Sequence, residues 1–158
     1  VQINPETFMN LAVEQAKKAL EFGEVPIGAV VVSTAGEIMG VGHNLTETTC
    51  DPSAHAEVVA LRQACVEVGR PRLDGCILFT TLEPCAMCAD LIAKTRIQIV
   101  YLGALDPKGG ALMQGPKLYE QPTCFHKPTV NTDYLKAECG QMISDFFKKK
   151  RENKKSSP

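Results

Sequence analysis

The sequence predicts a single α/β domain, and three observations carry that expectation. Residues 53–103 alternate helical and strand patterns, which favours parallel strands joined by crossover helices. Ahead of them, two short apolar runs flank the turn residues Ser33-Thr34-Ala35-Gly36 and read as a hairpin. The chain has 158 residues, 44% of them hydrophobic and 22% charged, a size and composition that suit one well-buried core. No apolar run approaches the roughly 18 residues of a membrane span, so no membrane partner is expected.

Each element has a local reason. Residues 5–22 place Phe8, Leu11, Ala12, Ala16, Ala19 and Leu20 at a helical spacing, with Asn4 as N-cap, Pro5 in the first position and Gly23 as the stop. The hairpin strands are the β-branched run 27–32 and the run 37–42. Residues 43–52 are polar and rich in Thr, a surface loop leading into a helix over 53–68 that Gly69-Arg70-Pro71-Arg72 breaks. A strand over 76–80, a helix over 86–94 and a strand over 98–103 follow. The Gly- and Pro-dense stretch 106–128 reads mainly as loop, with room for a short helix near 116–120, and 129–134 is too short and polar to assign as a strand. Helical spacing returns over 134–149 with Leu135, Cys139, Met142, Ile143 and Phe146, and the basic last turn suits the negative end of the helix dipole. The expected organisation is one domain over 1–151 and a basic C-terminal tail over 152–158.

The net charge of −1 hides a division. Residues 148–158 carry six positive charges and one negative, so they hold +5 and the rest of the chain −6. A basic end on an acidic body suits an anionic partner, although lysines also solubilise a chain end. The first six residues show no basic leader pattern, and seven cysteines is an odd count. The expectation is reduced thiols in the cytoplasm, with Cys50, Cys65, Cys76, Cys124 and Cys139 as small buried hydrophobes or idle surface thiols.

Chemistry is concentrated in two short stretches. Pro84-Cys85-Ala86-Met87-Cys88 sets two thiols at the start of a helix, facing one way. Alone, such a pair is a redox motif, half of a structural zinc site or a coincidence. Upstream, His55-Ala56-Glu57 sits at another helix start. The redox reading leaves His55 and Glu57 unexplained, and the structural-zinc reading lacks a fourth ligand, since His43 and His126 belong to no familiar ligand spacing. Two thiolates and one imidazole are good zinc ligands that leave one vertex for water, whose pKa the ion lowers from about 15.7 toward 7. Glu57 is the expected proton carrier rather than a ligand. The order H-x-E then P-C-x-x-C is the signature of the zinc-dependent nucleobase deaminases.

The runs Glu24-Val25-Pro26-Ile27-Gly28-Ala29-Val30, Asp51-Pro52-Ser53-Ala54-His55-Ala56-Glu57, Thr81-Leu82-Glu83-Pro84-Cys85-Ala86-Met87-Cys88 and Ser144-Asp145-Phe146-Phe147 carry a wider likeness. Over about residues 6–151 the chain resembles the bacterial tRNA-specific adenosine deaminases, within the cytidine/deoxycytidylate deaminase superfamily. The resemblance implies a cytidine-deaminase-like three-layer sandwich, a central mixed five-stranded sheet with helices on both faces. It further implies a homodimer, one zinc per subunit, and conversion of adenosine to inosine at the wobble position of a tRNA anticodon stem-loop. By the same resemblance His55, Cys85 and Cys88 hold the zinc, Glu57 moves protons, and Asn44 hydrogen-bonds the target nucleotide. Val25 and Pro26 flank the base, Ala56 and Phe147 contact substrate, and Asp106 and Lys108 lie near the anticodon loop. Leu105 stands where the family commonly has Arg, Gly109 where it commonly has Thr, and 112–128 departs from its usual text. These differences leave a small-molecule deaminase acting on guanine, cytosine or cytidine as the alternative. Phe146-Phe147 followed by Lys148-Lys149-Lys150-Arg151 offers aromatics and cations suited to bases and phosphates.

Overall fold

A computed structural model describes residues 3–156. Asn4 caps the first helix, α1 (Pro5–Glu21), its Oδ1 accepting from the Glu6 N–H at 3.1 Å and satisfying one of the backbone donors that a helix start leaves open. The hairpin strands β1 (Gly28–Val32) and β2 (Ile38–His43) pair antiparallel, with a register shift between Val31 and Val32. Helix α2 (Ala56–Val68), strand β3 (Ile77–Leu82), helix α3 (Ala86–Lys94) and strand β4 (Ile99–Ala104) alternate as expected. Strand β5 (Thr129–Asn131) and helix α4 (Lys136–Ser156) complete the chain. The sheet order is β2-β1-β3-β4-β5, antiparallel on the hairpin side and parallel from β3 to β5.

Residue alternation divides the core into two layers. Ala29, Val31, Leu78, Val100 and Leu102 face α2 and α3, where they meet Ala60, Leu61, Ala64, Ala89 and Ile92. Val30, Val32, Ile77 and Phe79 face the opposite side and pack against Met9 and Ala12 of α1. Cys139 of α4 joins Val13 and Ala104 on that same side. Strand β1 is buried along its whole length because both its faces are covered, which is why it reads as a continuous apolar run rather than an alternating one. The result is the three-layer sandwich, mixed five-stranded sheet included, that the resemblance implies.

Three elements differ from the sequence expectation. Helix α2 starts at Ala56 rather than at residue 53 because Asp51 Oδ1 accepts from both the Ser53 N–H (2.9 Å) and its hydroxyl (2.7 Å), a turn that holds 51–54 out of the helix and makes His55 the cap. Residues 129–131, too short and polar for the sequence to mark as a strand, form an edge strand paired, among the described residues, with β4 alone, which asks little apolar alternation of it. Helix α4 runs to Ser156, well beyond 149, so residues 152–156 of the expected tail are helical. Its apolar spacing ends at Phe147, but Lys, Arg and Glu are strong helix formers and Lys154 and Lys155 sit in the last turn, where the dipole favours cations.

The long 105–128 connection is anchored rather than loose. Leu118–Glu120 forms a 3-10 turn, Tyr119 is buried with its hydroxyl donating to Ala89 O at 2.9 Å, and Lys127 donates to Tyr119 O and Gln121 O at 2.7 and 3.0 Å. No helix among the described residues is long and apolar enough to cross a membrane.

The close seat of α2 on the hairpin depends on Gly42. A Cβ there would lie 2.5 Å from Ala56 O and 2.7 Å from Ala60 N, both backbone atoms that cannot turn aside. We predict that Gly42→Ala destabilises the fold by about 1–3 kcal/mol through overpacking, lowering Tm by roughly 2–10 °C. A Tm within a degree of the wild type would show that α2 is not held by this contact.

Candidate active site

Two helices begin at the same end of the sheet. Helix α3 follows β3 directly, and α2 follows β2, whose last residue His43 pairs with Gly28 at the start of β1. The Gly28 N–H in turn donates to Thr81 Oγ1 at 3.1 Å, which ties the start of β1 to the end of β3. Both helices have an extended N-cap residue, His55 (φ −70°, ψ 156°) and Cys85 (φ −73°, ψ 175°), and neither side chain folds back to cap its own helix. Those side chains meet each other instead.

His55 Nδ1 lies 3.6 Å from Cys85 Sγ and 3.6 Å from Cys88 Sγ, and the three donor atoms lie within 4.8 Å of one another. A tetrahedral zinc with Zn–S near 2.3 Å and Zn–N near 2.0–2.1 Å sets its N···S edge at about 3.6 Å, so the cluster is spaced for that ion. Two sulfurs and an imidazole suit zinc, and a three-donor set leaves one position for a fourth ligand, as catalytic sites do. Hydrogen bonds with Cys88 and then His55 hold the Cys85 thiol down at about 4, while the bond to Cys85, with burial, pushes the Cys88 thiol up. The pair is thus biased toward a thiolate at Cys85, the form that ligates a metal. The amino end of α3, where the dipole favours anions, adds to that preference.

Glu57 sits in the first turn of α2, 4% exposed and outside the three-donor set. Burial pushes its carboxyl up to about 6; the nearby Cys85 thiolate adds to the rise and His55 opposes it. A buried carboxyl beside a metal-competent cluster, able to take and give a proton near neutral pH, is equipped for general acid–base work.

Around this centre the other expected site residues divide into groups. Asn44 is 6% exposed, and its Nδ2 donates to Glu24 Oε1 at 3.2 Å and Thr46 Oγ1 at 3.3 Å. Val25, Asp106 and Phe147 line one groove, with a volume of about 780 Å³, whose wall also includes Leu105, Lys108 and Arg151. Pro26 is buried just ahead of β1, and Ala56 is fully buried, with its backbone oxygen close against Gly42.

Sequence reasoning gave no role to two buried carboxylates that flank the centre. Glu24, 1% exposed, accepts from Asn44 Nδ2, the Glu47 N–H (3.3 Å), the Thr48 N–H (2.7 Å) and the Thr48 hydroxyl (2.6 Å), so it holds the loop that carries Asn44. Glu83, 2% exposed, does the same for the loop that carries Asp106. The one sequence signal for either is an acid set beside apolar residues and a proline-bounded turn.

The fold and the three-donor centre with its buried acid define a zinc-dependent deaminase. Comparison with known proteins agrees: residues 2–104 match the cytidine and deoxycytidylate deaminase zinc-binding region. The chain is 44% identical to the tRNA-specific adenosine deaminase of Bacillus subtilis (strain 168), over 96% of this chain and 94% of that one. It is also 44% identical to the enzyme of the same name from Agrobacterium fabrum, over 91% and 94%. A solved structure from work on A-to-I editing by tRNA:A34 deaminases at the wobble position superposes with a TM-score of 0.84 at 44% identity, covering 86% of this chain and 98% of that one. The chain belongs to the tRNA-specific adenosine deaminase family.

Glu24 generates a pH prediction. Its burial alone would raise its pKa, but the bonds from Thr48 and Glu47 outweigh that and lower it below the ordinary 4.5. A group whose folded-state pKa is depressed stabilises the fold above its unfolded value and loses that contribution as pH falls through the folded one. We therefore expect Glu24→Gln to lower stability at neutral pH and to flatten the acid limb of the stability–pH curve below 4.5. Chemical denaturation at a series of pH values checks this, and an acid limb identical to the wild type would refute it.

Proposed function

We propose that this protein converts adenosine to inosine at the wobble position of a tRNA anticodon by hydrolysis: water adds at C6, the C6–N bond breaks, and ammonia leaves. The observation that carries this reading is the three-donor cluster with Glu57 buried beside it but outside the set. His55, Cys85 and Cys88 hold the zinc, which when bound supplies an acidified water as nucleophile at neutral pH. Glu57 takes a proton from the attacking water, passes it to the purine ring nitrogen and then protonates the departing amine. Asn44, its Nδ2 already committed to Glu24 and Thr46, turns Oδ1 to the target nucleotide and accepts a hydrogen bond from it. Val25 and Pro26 bound the base. Asp106 and Phe147 meet the anticodon loop in the groove they share with Lys108 and Arg151.

The reading extends to a homodimer acting in the cytoplasm on the anticodon stem-loop. Exposed Val66 and Met87 on α2 and α3 support an apolar contact with a second copy, and seven unpaired cysteines suit a reducing compartment. Leu105, an apolar residue in the groove wall, favours a small-molecule deaminase as the second reading.

Two experiments test this. Zinc-loaded protein offered an arginine tRNA transcript, its anticodon stem-loop, adenosine and guanine side by side is expected to form inosine in the RNAs. Turnover of guanine alone would establish the second reading. With Glu57→Ala we expect stoichiometric zinc and essentially no activity, whereas Cys85→Ala and Cys88→Ala lose both; zinc missing from the Glu57 variant would overturn the division of roles.

The basic end of α4 gives a further prediction. Phe147 is 40% exposed and shares its groove with Arg151, so cations there can follow a phosphate track. Replacing Lys148 and Arg151 by Ala should weaken stem-loop binding and reduce the slope of log K against log salt by about 0.7–0.9 for each phosphate no longer neutralised. An unchanged slope would place the RNA elsewhere.

A further inference from the structure

We propose that Glu83 is a positioning residue: it fixes the loop 105–114 beside the zinc cluster and so sets affinity for the RNA rather than the rate of its chemistry. This rests on the RNA-deaminase reading above. Glu83 lies between the end of β3 and Pro84-Cys85, so its backbone leads straight into the cluster. Its carboxylate gathers four donors. Oε1 accepts from the Asp106 N–H at 3.0 Å and from Gln114 Nε2 at 2.7 Å, and Oε2 from the Leu112 N–H at 3.1 Å and the Met113 N–H at 2.7 Å.

These donors come from both ends of one loop. The carboxylate therefore closes the loop across its middle, and the backbone reinforces it: the Ala111 N–H donates to Pro84 O at 3.0 Å and the Glu83 N–H to Ala104 O at 2.9 Å. Gly110 passes directly against the carboxylate, where a Cβ would come within 2.3 Å of Oε1. The near end of this loop, residues 105–108, is one wall of the groove that also holds Phe147 and Arg151. The wall facing the substrate is thus tied to the segment that delivers Cys85.

All four partners are donors, and a carboxylate offers about four lone-pair sites and no proton to clash with them. Its acceptor capacity is consumed by the loop, which leaves none for a metal or a reacting atom. A glutamine of the same shape would turn its NH₂ toward the donors that one of these oxygens now accepts from and release them.

The test uses zinc-loaded enzyme and an anticodon stem-loop RNA. For Glu83→Gln we expect stoichiometric zinc, a single-turnover rate at saturating RNA within about threefold of wild type, and a KM and Kd raised about ten- to a hundredfold, as for the removal of one or two charge-assisted bonds. Hydrogen exchange should show the Asp106, Leu112 and Met113 amides losing protection while α3 keeps its own. Gln114→Ala, which removes one donor only, should move the same quantities in the same direction by less, and it decides the matter if Glu83→Gln does not fold. Unchanged KM, whether or not the amides lose protection, overturns the proposal, as does a fall in rate at saturation without a change in KM. Wild-type enzyme inactive on every RNA but active on a free nucleobase would instead defeat the RNA reading, and the exchange data would still show whether Glu83 holds the loop.

Discussion

Everything at the centre of this molecule depends on two helices beginning within bonding distance of one another. A helix start exposes unpaired N–H groups and a positive dipole end, and it usually spends its cap side chain on satisfying them. Here the cap residues of α2 and α3 leave that task to others and face each other, at 3.6 Å between His55 Nδ1 and Cys85 Sγ. The sheet makes this possible. Because β1 runs antiparallel to both β2 and β3, the end of β2, the start of β1 and the end of β3 all lie at one edge, and the chain leaves that edge twice to enter a helix. Glycine at position 42 allows the first of those helices to sit down close enough.

Around the cluster the protein solves a second problem with the same device twice. Loops that face a substrate carry many backbone N–H groups that have no ladder to join, and unmet donors are costly when buried. Glu24 collects those of 47–48 and Glu83 those of 106, 112 and 113, each from a side chain almost wholly out of water. A buried negative charge surrounded by donors is stable, and it is also stiff, because moving one partner leaves the charge short. The loops on either side of the cluster therefore come preorganised.

Much of this was legible in the residues. The hairpin, α1 with its Asn4 cap and the alternation from α2 to β4 follow from period and turn chemistry, and the convergence of His55 with Cys85 and Cys88 follows from what each can do chemically. The parts that were not legible share a cause. Glu83 takes its bonds from donors 23 to 31 residues away, most of them backbone N–H groups that every residue but proline possesses, so no side-chain pattern marks the partners. Strand β5 owes its existence to the open edge of β4, and α2 loses its expected first turn to a competing bond from Asp51. In each case a contact made by tertiary structure, or a local side-chain alternative, outweighed the periodic signal.

The length of α4 changes what kind of object the basic end is. Residues 136–156 in one helix make a rod of about 30 Å, where a flexible tail of the same composition would sample a cloud. Side chains four apart on such a rod keep a fixed angle, and Phe147 with Arg151 is one such pair. Inserting a single residue after Phe147 would rotate everything beyond it by about 100° about the axis, yet because residues 148–151 are all cationic it would set Lys150 where Arg151 stands. The unbroken basic run thus keeps a cation on the groove side through a shift of register that would carry a lone cation away from it.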